Sequence, residues 1–366
     1  MIKRLLLITF VLGLLAAVGA AGAAYWAWNH LHEPFRADPQ DETVLVIKPG
    51  TSAGRILADL EDKGLIVDQR LARLFLIHRL KDPALLAGEY RFSGPHNTPQ
   101  VLDKLIRGDI VTHPVTLIEG LTFDESADAL ARAGFGELDV FRQEMLDPSR
   151  IADLDPEATN LEGYLYPDTY HFARGTPEAE IVDTLVRTFR KRFAAEVEPL
   201  FTARPASVKP QLNLRQLVTL ASIVEKETQL DEERQLVASV YSNRLRIGMG
   251  LYADPTIIYA KKLDGTWDGN LRRPDLRMES PYNTYRVPGL PPSPICSPTL
   301  KSLLASLDPA DTQYLYFVSR NDGSHVFATS KAEHDRNVYK WQKLYWRKKW
   351  AEERRQRETQ ASPPAS

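Results

Sequence analysis

Cysteine is almost absent from this chain, since Cys296 is the only one among 366 residues. A single thiol cannot form a disulfide within the chain, and it cannot build a cysteine-based metal cluster. The histidines show no ligand spacing with neighbouring acids that would indicate zinc; those considered are His113, His171, His325 and His334. A Gly-x-Ser-x-Gly nucleophile elbow and a phosphate-binding loop are also missing. We therefore expect neither a metal nor a cofactor.

Net charge is nearly absent as well, with a formal value of -2. This balance gives no reason to expect nucleic acid or another strongly charged polymer as partner. The composition, 43% hydrophobic and 26% charged, is that of an ordinary globular protein. The length allows about two or three domains.

The N-terminal segment is the one long apolar run. Residues 5–28 contain no charged side chain, and they are long enough to cross a hydrocarbon core of about 30 Å as a helix. Lys3 and Arg4 precede this run, and Trp26 and Trp28 lie at its far end, where an interfacial aromatic belt is expected. The pattern predicts a single-pass helix with a cytoplasmic N-terminus, which places the remainder on the outer side of the membrane.

A cleaved signal peptide is the alternative for the same segment. Ala21-Gly22-Ala23 fits a small-residue cleavage site after an apolar core. The apolar run continues past this site into aromatic residues, which favours the anchor. Both interpretations export the body of the chain.

Periodicity in the rest of the chain predicts a multidomain α+β protein. The predicted parts are residues 1–29 as anchor, 30–42 as linker, 43–112 as a small α+β unit, 113–350 as the main domain with a linking region to about 210, and 351–366 as a disordered tail. The small unit opens with a strand over 43–47, a Pro-Gly turn and a helix beginning at Ser52.

The main domain is predicted to be mainly helical. Its predicted features are a broken, tyrosine-rich segment over 161–170, helices over 178–198, from 213 and from 231, a hairpin around Asn321-Asp322-Gly323, and a closing helix over 331–353. The helix from Asn213 has capping-box spacing to Gln216 and is apolar around most of its circumference. Such a helix is expected to be buried.

Acidic residues within that buried helix are the first candidates for chemistry. An ionised carboxylate there costs several kcal/mol unless it is paired or protonated. Glu225 shares an apolar stripe with Val218 and Ala221, and helical geometry alone does not choose between it and Glu227. A structural ion pair with Lys226, Arg234 or Arg244 is the alternative for either glutamate.

Five motifs occur in order through this region. They are Ala221-Ser222-Ile223-Val224-Glu225-Lys226-Glu227-Thr228, Ser242-Asn243-Arg244-Leu245, Ala253-Asp254-Pro255-Thr256, Tyr282-Asn283-Thr284-Tyr285 and Gly289-Leu290-Pro291-Pro292. Together they resemble the endolytic murein transglycosylases, the YceG-like family. The resemblance extends to the apolar N-terminus and to the early Pro-Gly-Thr-Ser unit, which is similar to that family's LysM-like subdomain.

The resemblance implies a lyase that cleaves the β-1,4 bond between N-acetylmuramic acid and N-acetylglucosamine within nascent strands and leaves 1,6-anhydro ends. It implies the first glutamate of the Val-Glu-Lys-Glu motif, Glu225, as the catalytic acid and base. One carboxyl suffices, because the sugar's own C6 hydroxyl replaces water as nucleophile. Peptidoglycan strands are then the substrate, and penicillin-binding synthases are expected neighbours.

Substrate-binding candidates come from the same motifs and from the tyrosine-rich segment. They are Asn243, Asp254, Tyr282, Asn283, Thr284, Tyr285, Glu162 and Tyr164. Aromatic rings stack on sugar faces, and an amide matches an acetamido group. Structural alternatives remain for each: a turn with buried tyrosines for Tyr282 and Tyr285, a tie between helices for Asn243, and a helix cap for Asp254, which is its favoured role.

Rival functions are also compatible with the sequence. Ser222 lies one turn before Lys226, as in a serine-lysine nucleophile pair, but that pair explains none of the other motifs. A lysozyme-like hydrolase would use Glu227 or Asp254 as a second carboxylate. A non-catalytic glycan-binding or scaffold protein of the wall-synthesis machinery is the alternative from another class.

Overall fold

The computed structural model describes residues 2–34, 42–205 and 210–361. The chain forms two compact units. The first comprises Met1–Pro114 with His171–Thr176, and the second comprises Val115–Tyr170 with Pro177–Ser366. The predicted linker lies mostly outside the described residues. The prediction of a mixed helix and strand protein with one apolar N-terminal helix is confirmed.

Helix α1, Ile2–His32, opens the first unit. Its segment Leu6–His32 has a mean hydropathy of 2.3 and is long and apolar enough to cross a membrane. The helix continues through residues 30–32, which were predicted to belong to the linker, because no helix-breaking residue occurs before Pro34. The start of the predicted linker is therefore wrong by three residues.

The remainder of the first unit is a small α+β arrangement. Its elements are β1 (Glu42–Ile47), α2 (Ala53–Asp62), α3 (Gln69–His78), β2 (Gly88–Ser93) and α4 (Thr98–Arg107). Strands β1 and β2 pair antiparallel, with Leu45 opposite Tyr90. Leu45, Ile47, Tyr90 and Phe92 are buried among the apolar faces of the helices, as the period of two along each strand requires.

The second unit is mainly helical. In chain order, the next elements are β3 (His113–Thr116), α5 (Phe123–Arg132), α6 (Leu138–Leu146), β4 (Thr169–Phe172), α7 (Glu178–Arg192) and α8 (Glu198–Ala203). They continue with α9 (Leu214–Glu227), α10 (Asp231–Arg246), α11 (Asp254–Leu263), α12 (Leu300–Leu307), β5 (Tyr316–Ser319), β6 (His325–Ala328), α13 (Lys331–Val338) and α14 (Tyr345–Ala361). Strands β3 and β4 form one two-stranded sheet, and β5 pairs antiparallel with β6.

Helix α9 is the buried centre of the second unit. Asn213 and Gln216 form the capping box that begins it, as predicted, and every residue from Leu217 to Glu225 is buried. Helices α10 and α12 pack against it. Glu225 and Glu227 lie about 200° apart around the helix axis, since 3.6 residues make one turn. The two carboxyls therefore enter different environments.

The tyrosine-rich segment is irregular up to β4, as predicted. Gly163 has a φ of +89°, and a Cβ at this position would lie 2.6 Å from Pro294 Cβ and 2.9 Å from Val218 Cγ1. Only glycine allows this close approach of the segment to α9. The approach holds Glu162 and Tyr164, on either side of the glycine, against the centre of the unit.

The C-terminal region differs from the expectation. Residues 351–366 were predicted to be disordered, but α14 continues to Ala361. The prediction is therefore wrong over 351–361, where the composition is dominated by Ala, Glu, Arg and Gln, all strong helix formers. Residues 362–366 lie outside the described part of the chain.

Candidate active site

An open cavity of about 760 Å³ lies in the second unit at the C-terminal end of α9. Its walls come from α9, α10, the start of α11, the loop before α12, the β5–β6 pair and α13. The residues that line it include Glu227, Tyr241, Arg244, Met249, Tyr252, Asp254, Tyr285, Tyr316, Phe317, His325, Lys331 and His334. Because it is the candidate active site, we refer to it as the catalytic cavity. Its surface combines one cluster of tyrosines with two carboxyl groups, Glu227 and Asp254.

Glu227 brings its carboxyl to this cavity. The Tyr241 hydroxyl donates a hydrogen bond of 2.6 Å to its Oε1. The pKa of Glu227 is raised to about 7, mainly by burial and also by the negative charge of Asp254, against the lowering effects of the Tyr241 hydrogen bond and of Arg244. A carboxyl with this pKa exchanges its proton near neutral pH, which is what a general acid and base requires.

Asp254 lies at the first position of α11 and accepts a 2.7 Å hydrogen bond from the Tyr285 hydroxyl. The interpretation of Asp254 as a helix cap is wrong, because Ala253 is the N-cap residue and no side chain caps this helix. The carboxyl is instead exposed at the wall of the catalytic cavity. Burial, followed by the contact with Asp254, raises the pKa of Tyr285 above its usual value, so the phenol stays protonated.

Arg244 lies between two aromatic rings of the same cavity. Its guanidinium carbon is 5.6 Å from the Tyr252 ring centre and 5.5 Å from that of Tyr316. Nε donates to the Leu315 carbonyl at 2.7 Å, and Nη1 donates to the Leu251 carbonyl. These bonds fix a positive charge beside the cavity carboxyls and hold the two rings apart.

Tyr252 has an unusual backbone conformation, with a φ of +50°. Non-glycine residues rarely adopt this region, and such strain concentrates at functional sites. The ring lies directly over Gly250, where a Cβ would be 2.8 Å from Tyr252 Cε1. It also contacts the Tyr285 ring at a centroid distance of 5.4 Å. Gly250 and the strained backbone thus set the position of an exposed aromatic ring.

Glu225, the predicted catalytic residue, is enclosed. Its side chain is 2% exposed, and Oε1 accepts a 2.9 Å hydrogen bond from Arg234 Nη1. Oε2 accepts hydrogen bonds from the Thr299 backbone N–H at 2.7 Å and from its hydroxyl at 2.6 Å. Arg234 also donates to Ser302. Glu225 therefore joins α9 to α10 and to the start of α12, as the ion-pair alternative describes.

Three other predicted binding residues are committed to internal contacts. The Asn243 amide donates to the Thr312 and Tyr314 carbonyls at 2.9 and 3.0 Å. The Asn283 amide donates to the Leu276 and Met278 carbonyls, and the residue is fully buried. The Thr284 hydroxyl accepts from the Ala253 N–H at 3.0 Å. These residues shape the loops that surround the cavity but do not line it.

The predicted tyrosines divide between packing and the cavity. Of Tyr164, Tyr282 and Tyr285, only Tyr285 lines the catalytic cavity. Tyr282 is partly buried, contacts the Tyr259 ring at 5.0 Å and shares a hydrogen bond with Ser293. Tyr164 is 1% exposed, and its hydroxyl donates to Asp155 at 2.6 Å.

Glu162 lies apart from the catalytic cavity. It lines a second cavity of about 480 Å³ beside the start of α5 and the end of α11. Its oxygens accept the Phe123 N–H at 3.1 and 3.3 Å, and the residue is 1% exposed. Burial raises its pKa to about 8. The structure therefore separates Glu162 from Asp254 and Tyr285.

The serine-lysine pair does not form. The Ser222 hydroxyl donates to the Thr219 carbonyl at 2.7 Å and accepts a hydrogen bond from the Ile295 N–H at 3.0 Å, whereas Lys226 Nζ donates to the Gly120 carbonyl at 3.2 Å.

Two tyrosines that line the catalytic cavity, Tyr252 and Tyr316, were not predicted from the sequence. Gly248 and Gly250 just before Tyr252 were the one available signal for an irregular, functional turn.

Fold and site together define a mixed α and β protein with one apolar N-terminal helix and an open, tyrosine-lined cavity that holds two carboxyls. A model of the YceG-like family matches residues 45–340. The chain belongs to this family.

The chain is also similar to curated proteins and to a solved structure. The chain is 29% identical to the endolytic murein transglycosylase of Bacillus subtilis over 336 residues, 87% of this chain and 90% of that protein. It is 28% identical to a protein of the same name from Streptococcus pneumoniae over 359 residues, and the match spans 63% of that longer relative. A YceG-like protein of Listeria monocytogenes, solved by crystallography, superposes with a TM-score of 0.54 at 30% identity, covering 81% of this chain and 99% of that one.

Proposed function

We propose that this protein is an endolytic peptidoglycan lytic transglycosylase. It cleaves the β-1,4 bond between N-acetylmuramic acid and N-acetylglucosamine within a glycan strand and leaves a 1,6-anhydro end. Two curated relatives named endolytic murein transglycosylase support the reaction class. The observation that carries the proposal is the Glu227 carboxyl, which lines an open cavity and has a pKa of about 7.

We assign the acid and base role to Glu227 rather than to Glu225. A group that transfers protons to a polymer must reach it, and Glu227 lines the cavity whereas the Glu225 side chain is 2% exposed. Protonating Glu225 would also remove the buried partner of Arg234 and leave it only the half-exposed Asp231 carboxylate at 3.1 Å, which is unfavourable for a buried cation. Among the described residues, Tyr241 is the one hydrogen-bond donor to Glu227, which leaves its second oxygen available to the substrate.

The reaction then needs one carboxyl acting twice. Protonated Glu227 donates its proton to the glycosidic oxygen as the bond from C1 breaks. The resulting carboxylate accepts the proton of the C6 hydroxyl while that oxygen attacks C1 of the same sugar. The nucleophile is already part of the substrate, so its attack has no association cost. The anhydro ring forms and the carboxyl returns to its protonated state.

The aromatic residues of the cavity suit a sugar polymer. The rings of Tyr252, Tyr285 and Tyr316 line the cavity together with Glu227. Aromatic rings provide apolar faces for the C–H faces of sugars, and phenol groups donate and accept hydrogen bonds at the edges. Arg244 supplies a fixed positive charge that suits the lactyl carboxylate or stem peptide of a muramyl residue.

We place the enzyme at the inner membrane. Helix α1 anchors it as a single span with its N-terminus in the cytoplasm, and the rest of the chain lies outside, where nascent strands emerge. The small unit over 43–112 is LysM-like, and penicillin-binding synthases are the expected neighbours. Anchoring next to the site of synthesis explains why an enzyme that cuts strands internally would carry a span.

Hydrolysis is the second candidate, and Asp254 favours it. This carboxyl raises the pKa of Glu227 through its negative charge and so lies near it. A pair of carboxyls, one acid and one base or nucleophile, is the arrangement of glycoside hydrolases. Within the described part of the chain, the hydrogen bond from Tyr285 leaves the second oxygen of Asp254 open, as that from Tyr241 does for Glu227, so the reaction product decides between the two candidates.

The test is the chemistry of the product. Full-length protein in detergent is incubated with purified peptidoglycan in water labelled with heavy oxygen, and the new glycan ends are analysed by mass spectrometry. Anhydro ends without the label support the lytic reaction. Labelled reducing ends would instead establish hydrolysis. Glycan binding without new ends, with unchanged cellular function of a Glu227→Gln variant, would favour the non-catalytic scaffold.

A further inference from the structure

The second cavity, which contains Glu162, lies at the opposite end of α11 from the catalytic cavity. The two cavities share no lining residue. Helix α11 begins with Asp254 in the wall of the catalytic cavity and reaches Lys262 in the wall of the second. Eight residues of helix separate these positions, a distance of about 12 Å. The two cavities are thus close enough for one extended ligand.

One face of α11 connects them. Asp254, Ile258 and Lys262 follow one another at intervals of four residues and so lie on the same side of the helix. Each of the three is at least partly exposed, whereas the intervening residues 255–257 and 259–261 are buried. These three positions therefore lie along one side of α11 between the two cavities.

The lining of the second cavity indicates a neutral ligand. The charged groups at its wall are already paired: Lys262 Nζ contacts Glu125 at 2.6 Å, and Asp124 contacts Arg142 at 2.6 Å. With a pKa of about 8, the Glu162 carboxyl is mostly neutral at neutral pH. A neutral carboxyl both donates and accepts hydrogen bonds, which matches a hydroxyl or an acetamido group.

Aromatic rings complete this cavity. Phe123 and Trp267 line it and are both partly exposed. Phe123 is the first residue of α5, where its backbone N–H binds Glu162. Trp267 follows the end of α11. Two accessible rings beside a buried carboxyl provide both an apolar face and a polar edge, as a sugar ring requires.

We propose that the cavity formed by Phe123, Glu162 and Trp267 is a distal subsite for a neutral N-acetylated sugar of the strand that enters the catalytic cavity. This inference rests on the proposed function. A strand held at both ends of α11 is bound on one side of the cleaved bond over more than a disaccharide. Such a subsite favours long strands over short fragments, which is the preference that internal cleavage needs.

The test compares glycans of different length. Full-length Glu227→Gln protein in detergent, which keeps the cavity but not the acid, is titrated by calorimetry with peptide-free glycan oligosaccharides. The Trp267→Ala change is added, and Trp350→Ala serves as the matched control because this exposed tryptophan lies on α14. We expect Trp267→Ala to weaken long glycans by about three- to tenfold and short ones not at all. Trp267→Phe should restore most of the affinity.

The outcomes separate the two proposals. Equal binding of long glycans by the Trp267→Ala and Trp350→Ala proteins would overturn the distal subsite while leaving the enzyme assignment intact. A folded Glu162→Ala variant with unchanged length preference would also contradict the role given to that carboxyl. Absence of binding to glycans of any length would overturn both the subsite and the proposed function.

Discussion

The Tyr241 hydroxyl donates a 2.6 Å hydrogen bond to Oε1 of Glu227. Two residues earlier, the Glu225 carboxyl is enclosed by hydrogen bonds from Arg234 and Thr299. Under the proposed function, the same short motif provides one carboxyl for chemistry and one for structure. The difference arises from the partners on α10 and α12. Substitutions at Glu227 and at Glu225 are therefore expected to have different effects.

Tyr241→Phe removes the hydroxyl that stabilises ionised Glu227. The pKa of Glu227, about 7 in the native protein, should rise. Because the free enzyme must carry the proton to begin the reaction, kcat/KM should fall as pH increases through this pKa. In the variant this fall should move to higher pH by roughly one pH unit. The check is the pH profile of kcat/KM on purified strands, and an unmoved profile would separate Tyr241 from the acid.

Glu227→Gln should change stability in a pH-dependent way. The pKa of this carboxyl is about 7 in the folded protein and 4.5 in its unperturbed state. The native protein therefore loses stability as pH rises from 4.5 to 7, because the unfolded chain releases its proton first, and the loss stays constant above that range. Glutamine avoids this loss. Thermal unfolding at pH 4.5 and pH 8 measures this effect. The stability of the variant relative to the native protein should be greater at pH 8 than at pH 4.5, and the same relative stability at both pH values would contradict the raised pKa.

Glu225→Gln should instead destabilise the protein. It removes the buried partner of Arg234, which then keeps only the half-exposed Asp231, and the cost at neutral pH should be at most about 3 kcal/mol. Adding Arg234→Met removes this poorly compensated charge and should recover much of the loss. Denaturant unfolding of the single and double variants measures both effects. If Glu225 is structural, the folded double variant retains catalytic activity.

Gly250→Ala should displace the Tyr252 ring. The new Cβ would lie 2.8 Å from that ring, whose backbone is already strained. We expect kcat/KM to fall about ten- to a hundredfold with little change in stability, because the ring can move but then no longer lines the cavity as before. Gly54→Ala is the matched control, since nothing lies within 4 Å of its added Cβ. Equal activity of the two variants would exclude a substrate role for Tyr252.

Much of the local structure was predictable from sequence. The start of α9 follows from the capping-box spacing of Asn213 and Gln216, and the structure confirms it. The helical end of the chain was missed because its charged residues were interpreted as a solvated tail rather than as helix formers. Local propensity was available there and would have given the better answer.

The candidate site was only partly predictable. The motifs placed the chemistry at the end of α9, and Asp254 and Tyr285 do line the cavity there. Sequence could not show which glutamate is open, because the partners of Glu225 come from residues 9 and 74 positions away along the chain. It also could not show that Glu162 lies in a different cavity, since this depends on how the 161–170 segment packs on α9.

The most direct test of the account compares which glutamate is needed for bond cleavage. Full-length native protein, Glu227→Gln and the folded Glu225→Gln/Arg234→Met double variant are incubated with purified peptidoglycan, and the anhydro ends released by each are counted by mass spectrometry. We predict release by the native protein and by the double variant but not by Glu227→Gln. Release by Glu227→Gln, together with none from a stably folded double variant, would return the catalytic role to Glu225.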